Sequence, residues 1–274
     1  MKQNRRPFII LASVCFLILI LLVIMAPENA STLDRTRKSL PPWEFPPLGT
    51  DMYGRPLIEY AMQGAKIITG PAVLSGLLVA FFGIFGGLIR VLDLPKTQAV
   101  LQFTGEIIGA LPRMVVILVV ALLLPKDLRT LLPLAVVWAL LCAPGAIDEA
   151  GSVTLRIGGA RFVEALKAHG FGAWRIYMHH IVLLNLRPVI VRQGAEAMMM
   201  VAFLEVALSY LAGISSQPSF THSEKLRSWA DLLQEGYLWL AFDLNTGHTL
   251  SVGLGLLGLI VATAMSLSKA AEAR

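Results

Sequence analysis

Charge and cysteine are the two things this sequence is short of. Only 15% of its 274 residues are Asp, Glu, Lys or Arg, and those lie between long uncharged runs. Chains that fold in water carry more polar surface. With 56% hydrophobic residues and a mean hydropathy of +0.69, this composition suits helices that sit in lipid. The two cysteines, Cys15 and Cys142, both fall inside apolar runs. That argues against a disulfide framework and leaves them as small buried apolar residues, with no histidine at metal-ligand spacing. Also missing are HExxH, GxSxG and any pair of intramembrane aspartates. His179 and His180 are adjacent, about 100° apart on a helix, so they do not present two ligands on one face. An intramembrane enzyme has no convergent groups to use. A concentrated basic patch is lacking too. The formal charge of +5 and the pI near 9.4 come from residues spread between apolar segments, so nucleic acid is not an expected partner.

What is present is a series of apolar spans. Lys2, Arg5 and Arg6 precede an uncharged run over residues 8–26, about nineteen residues, enough to cross a hydrocarbon core of about 30 Å. A cleaved signal peptide has a shorter apolar core that ends in small residues, so this run reads as an uncleaved first helix with its N-terminus inside. A loop over 27–64 follows, with balanced charge and the proline-rich stretch 41–47, which cannot be helix and is expected to run extended along the outer surface. Further spans are expected at 67–89, with Gly83 and Gly87 as a close-packing pair; at 107–124, broken by Pro112 and Arg113 near its start; at 130–147; at 188–211; and at 248–267. Short polar loops carry Arg90, Asp93 and Lys96, then Lys126, Asp127 and Arg129. An outer loop at 213–247 carries Trp229, Tyr237, Trp239 and Phe242, which suit a short helix at the membrane interface.

Between the fourth and fifth spans lies a polar island. From 148 to 187 it holds Arg156, Arg161, Lys167, Arg175 and Arg187 against Asp148, Glu149 and Glu164. This basic excess places it in the cytoplasm, in agreement with an inside N-terminus followed by four crossings. Residues 161–169 can be helical, Gly170 can stop or bend that helix, and a second short helix over 173–184 would lead back to the membrane. The fifth span is not clean. Arg192 and Glu196 share a helix face and can pair, with Arg192 either snorkelling at the boundary or serving a solute. Glu205 lies deeper and either lines a pathway or bonds to another helix.

Three motifs in order make the chain resemble the membrane permease subunits of binding-protein-dependent ABC importers, in the dipeptide/oligopeptide/nickel branch and its second, C-type subunit. Glu164-Ala165, Gly170 and His180-Ile181 resemble the family's EAA loop. Leu48-Gly49-Thr50-Asp51 with Gly54-Arg55 resembles its outer-loop L-G-T-D-x-x-G-R. Glu205 to Leu211 resembles E-A-x-L-S-F-L, and Trp229 with Leu232-Leu233 resembles the segment that comes next. The resemblance covers nearly the whole chain. It implies an all-α polytopic membrane protein of the type I ABC importer permease fold. Six transmembrane helices are expected, with both termini cytoplasmic, and a coupling-helix hairpin between the fourth and fifth. Residues 1–66 would form the first helix and outer loop, and 67–274 the permease core, with the EAA loop at about 148–187.

The resemblance also implies roles. Glu164, Ala165, Leu166, Gly170, His180 and Ile181 would dock the coupling helix on an ATPase. Gly49, Thr50, Asp51, Gly54, Arg55 and Trp229 would meet a binding protein at the outer mouth. Arg192, Glu196 and Glu205 would line the pathway. The chain itself would be no enzyme and hold no cofactor or metal. ATP and magnesium would sit on two partner ATPases, beside a second permease, an extracytoplasmic binding protein and the lipid of a bacterial inner membrane. Peptides or a related small solute such as a nickel chelate are the expected cargo. The sequence departs from the family at Leu166, at Leu183-Leu184 (in place of Pro-Asn), at Asp148 and Gly151 (in place of arginines) and at Pro56. The rival expectation is an ion-coupled secondary transporter built on Arg192, Glu196 and Glu205. The lack of an obvious inverted repeat and the large basic hairpin count against it.

Overall fold

The computed structural model describes residues 5–28, 34–91, 95–125, 128, 130–158, 161–214, 228–240 and 247–273. Of the residues read above, Lys2, Asp93, Lys126, Asp127, Arg129 and Phe242 lie outside these, as do the side chains of Arg90, Arg161, Leu211 and Trp239. Among the described residues the regular structure is helical: α1 (Arg6–Ile24), α2 (Leu57–Val91), α3 (Pro95–Ala110), α4 (Arg113–Leu123), α5 (Leu131–Gly158), α6 (Arg161–Ala168), α7 (Ala173–Arg175), α8 (Arg187–Ile214), α9 (Trp229–Leu240) and α10 (Gly247–Glu272). A π-helical segment, Ile176–Leu186, joins α7 to α8.

Several elements outrun their sequence boundaries. α2 starts at Leu57 rather than at 67, because Glu59, Gln63 and Lys66 interrupt the apolar run but are good helix formers. α5 continues to Gly158, well past 147, since Asp148, Glu149 and Arg156 likewise break hydropathy and not the helix. α3 precedes the expected third span, and the axis turns by 83° between α3 and α4, where Pro112 is extended at φ −66°, ψ 106°. The expected return helix over 173–184 is not separate: it runs without interruption through the π-helical segment into α8. The stretch 41–47 is not extended either. It coils into turns, with the N–H groups of Glu44 and Phe45 both donating to the Pro41 carbonyl (3.0 Å), since proline's fixed φ suits turn positions.

Four helices are long and apolar enough to cross a membrane: Arg6–Ile24, Leu57–Ile89, Leu131–Ile157 and Gly247–Glu272. Lys96–Ala110 with Arg113–Leu123 makes a fifth if the bent pair is one span. Six were expected; α8, at 28 residues, is not among those that pass by length and composition over the described residues. One apolar core ties the body together, drawing Leu19 from α1, Ile68 from α2, Ile117 from α4, Trp138 from α5, Val201 from α8 and Ile260 from α10. Outside it, large apolar side chains stand exposed along α1, α2, α4 and α10, among them Leu17, Phe81, Leu123 and Leu254. Covering such a surface needs lipid or another chain. This is a multi-pass membrane protein.

Candidate functional site

The polar island folds as a hairpin that projects between α5 and α8. α6 ends at Ala168, and the chain then turns at Gly170, whose φ of +82° falls in the left-handed region that L side chains resist. The turn is closed by backbone bonds from Gly170 N–H to Lys167 O (2.9 Å) and from Phe171 N–H to Leu166 O (3.1 Å). Glu164, Ala165 and Gly170 are exposed and Leu166 is half-buried. On the returning limb Trp174 is 63% exposed, and the Arg175 guanidinium lies 5.0 Å over the Phe171 ring. His180 is half-buried, its ring edge-on to Phe171 at 6.3 Å.

Ile181 points the other way. It is buried with Ala150, Tyr177, Val182, Leu186 and Ile190, and the Tyr177 hydroxyl donates to the Ile84 carbonyl on α2. The hairpin therefore has an anchored limb and a free tip. Glu164, Ala165, Leu166 and Gly170 share the tip, while Ile181 belongs to the anchor. The π-helical winding of the anchor, with Asn185 Nδ2 donating to the His180 carbonyl (2.8 Å), had no signal in the sequence. Leu183 stands where the resemblance puts proline and keeps its N–H, so nothing forces the helix to end there.

The Gly49–Arg55 loop is built differently. Asp51 is 1% exposed. Its Oδ1 accepts from the N–H groups of Tyr53 and Arg55 (2.8 Å each), and its Oδ2 accepts from the Tyr60 hydroxyl (2.6 Å). The buried Thr50 hydroxyl donates to the Arg37 carbonyl (2.6 Å) and accepts from Leu40 N–H (2.9 Å), while its carbonyl lies 3.0 Å from Nε2 of His248 at the start of α10. Gly54 has φ +80°, and a Cβ there would stand 1.8 Å from the Asp34 carbonyl oxygen. Trp229 is wholly buried, its indole N–H donating to the Ala61 carbonyl (3.1 Å) and its ring over Gly64. Ser228 and Asp231 cap α9 reciprocally: Ser228 N–H donates to Asp231 Oδ2 (2.9 Å) and Asp231 N–H to Ser228 Oγ (3.3 Å). Thr50, Asp51, Gly54 and Trp229 thus face inward and hold α2, α9 and α10 together; Arg55 is half-buried.

A third region joins α4, α5 and α8 around a cavity of about 570 Å³. Arg192 pairs with Glu196 (3.2 Å) on its own helix and with Glu149 on α5, and Gln193 Nε2 donates to the second Glu149 oxygen (2.7 Å). Glu149, Gln193 and Glu196 line the cavity, together with Arg113 and Trp138. Gln193 Oε1 and Trp138 Nε1 are buried with no hydrogen-bond partner among the described residues, which leaves one acceptor and one donor available there. Sequence reasoning found the Arg192–Glu196 pair through its spacing. It missed Gln193, the next residue on α8, and Glu149, Arg113 and Trp138, which come from other helices. Glu205 is not part of this group. It sits nine residues further along α8, about 14 Å away, fully buried, and accepts from the Ser209 hydroxyl (3.3 Å).

No family model matches the chain. Among proteins of curated function, it is 24% identical over 264 residues to the probable D,D-dipeptide transport system permease protein DdpC of Escherichia coli (strain K12), covering 92% of this chain and 85% of that one. It is 24% identical to the oligopeptide transport system permease protein OppC of Bacillus subtilis (strain 168), over 85% of this chain and 77% of that one. It is 29% identical to the dipeptide transport system permease protein DppC of Lactococcus lactis subsp. cremoris (strain MG1363), over 61% of this chain and 48% of that one.

Proposed function

We propose that this chain, similar over most of its length to the C-type permease subunits of peptide ABC transporters, is the translocation subunit of an ATP-driven importer of peptides or a related small solute. The observation that carries the reading is the exposed hairpin tip at Glu164–Gly170 on a buried anchor, in a chain with those relatives. A rigid anchor is what a coupling element needs. Tyr177 and Ile181 join the hairpin to α2 and α5, so a push on the tip is delivered to the helices that pack around the cavity.

In this reading six spans cross a bacterial inner membrane, α8 among them, and both termini are cytoplasmic. Two partner ATPases bind ATP and magnesium and close on the hairpin. A second permease completes the pathway, and an extracytoplasmic binding protein delivers the solute beside the Gly49–Arg55 loop. The chain makes and breaks no covalent bond. The cavity between α4, α5 and α8 is the solute's route. Arg113 and the Glu149–Arg192–Glu196 cluster offer both signs of charge there, and Gln193 and Trp138 offer one acceptor and one donor. A zwitterion can exchange partners with such a lining as the helices rock, without any group being left desolvated and unpaired. Glu205, remote from that lining, acts in packing α8.

One observation favours the rival: Arg192 bridging two carboxylates is also how a proton-coupled site is built. The experiment that separates them is affinity capture of the chain expressed with its native neighbours, followed by uptake in vesicles. An ATPase that co-purifies, and is lost with Gly170→Pro while membrane insertion is retained, supports the importer. Uptake by the chain alone, driven by an ion gradient without ATP, establishes the secondary transporter instead.

A further inference from the structure

A second cavity, of about 550 Å³, opens between α1, α2, α8 and α10 and has no part in the reading above. α1 packs on α10 and α2 and leaves a groove along its flank toward α8. The groove floor is the crossing of α2 and α8 at Gly76 and Gly194. A Cβ on either glycine would stand within 3 Å of the other's carbonyl oxygen (2.7 and 2.9 Å). The walls are apolar, with Phe16 and Met198 at one end. At the other end are two arginines, Arg5 and Arg187.

Three features of this groove belong together. First, no carboxylate lines it, and neither arginine has a carboxylate partner among the described residues; Arg5 Nε is buried with no hydrogen bond at all. A buried guanidinium N–H without an acceptor is costly, so the mouth calls for an anion. Second, Lys269 stands at the same end, its Nζ 5.9 Å from the Phe8 ring, which adds positive charge. Third, the length fits. Phe16 lies eleven positions beyond Arg5, the N-cap of α1, and Met198 eleven beyond Arg187 on α8, about 16 Å of helix in each case, close to the half-thickness of a hydrocarbon core of about 30 Å. The groove is one leaflet deep, apolar along its depth apart from Ser13, with its cations at the headgroup end.

We infer that this groove holds a single anionic phospholipid, with its phosphate on Arg5 and Arg187 and an acyl chain laid over the Gly76–Gly194 crossing. The proposed topology puts it in the cytoplasmic leaflet, where anionic headgroups meet basic clusters between helices. The bound lipid closes the α1–α8 gap and fastens the first helix to the permease core.

The test is native mass spectrometry and phosphate analysis of the assembled permease, purified from membranes that contain phosphatidylethanolamine, phosphatidylglycerol and cardiolipin. The expected result is retention of the two anionic lipids over phosphatidylethanolamine. Arg5→Ala and Arg187→Ala should each weaken retention about fivefold, the usual worth of one cation at an anionic leaflet; the double alanine variant should lose the preference for anionic lipid, and the Arg→Lys pair should keep most of it. Ser13→Trp, on the open flank of α1, should displace the lipid while both arginines remain. Excess inorganic phosphate should not compete. If the double alanine variant fails to accumulate, the lysine pair and Ser13→Trp carry the same discrimination. Retention that ignores headgroup charge, or that survives Ser13→Trp, overturns the proposal. So does a double alanine variant that keeps its lipid but sheds the second permease, which would make the groove a subunit contact. None of these outcomes depends on what the protein transports.

Discussion

The outer loop and the hairpin are made from the same materials, glycines at positive φ and a few charged side chains, yet they are opposite constructions. In the loop, the polar side chains of Thr50 and Asp51 are buried and spend their hydrogen bonds on the protein's own backbone. At the hairpin tip, Glu164 and Lys167 point away from the body, and a Cβ on Gly170 would meet nothing within 4 Å. One glycine is fixed by what surrounds it, the other only by its own turn. Motif residues can therefore belong to the buried scaffold or to an exposed tip, and burial separates the two.

That contrast is broken or sharpened by substitution. The largest expected effect on stability is at Asp51. Asp51→Ala strands the Tyr60 hydroxyl and two loop N–H groups, a loss of about 3–5 kcal/mol, to be read as a lowered unfolding midpoint in detergent. Trp229→Phe keeps most of the ring but loses the bond to Ala61, a cost of about 1–2 kcal/mol. Gly170→Ala costs on the order of 1 kcal/mol for a left-handed alanine with no clash. If it destabilised as much as Asp51→Ala, the tip would be packed and not free. Glu164→Lys should leave stability within about 0.5 kcal/mol but lose capture of the ATPase; normal capture and uptake in that variant would end the coupling assignment. Arg192→Gln likewise changes stability by less than about 1 kcal/mol, because the pairs are partly solvated, while slowing uptake.

The smallest effect is a pH dependence at Asp34. The Thr36 hydroxyl, then the Thr36 N–H, holds this carboxyl below its ordinary value of 3.8. A depressed carboxylate contributes above its unfolded pKa and loses that contribution as pH falls through the lowered one. The turn at Arg35–Arg37 should therefore loosen only in acid, and Asp34→Asn should remove the pH dependence, as local hydrogen exchange would show.

Most helices were legible because lipid makes hydropathy a near-complete signal: α1, α4 and α10 come close to their apolar runs. The ends of α2 and α5 were not, since charged residues that end an apolar run do not end a helix. Arg192–Glu196 was readable as an i,i+4 pair on one helix. Glu149, Arg113 and Trp138 were not, because no spacing in one chain reports which turn of another helix will face it; Gln193, on α8 itself, became visible only once Glu149 was placed against it.

By itself, then, the sequence determined the class of solvent, an all-helical build with the order of its apolar runs, the bend at Gly170 and the likeness to peptide permeases. All of these are set by local composition or by a residue's own backbone freedom. Tertiary structure alone decided that Asp51 and Trp229 face inward, that Arg192 bridges two helices, that Glu205 stands apart from them, and that Arg5 and Arg187 meet at one groove. Each of these depends on which helix faces lie against each other, and that is settled by packing between segments far apart in the chain.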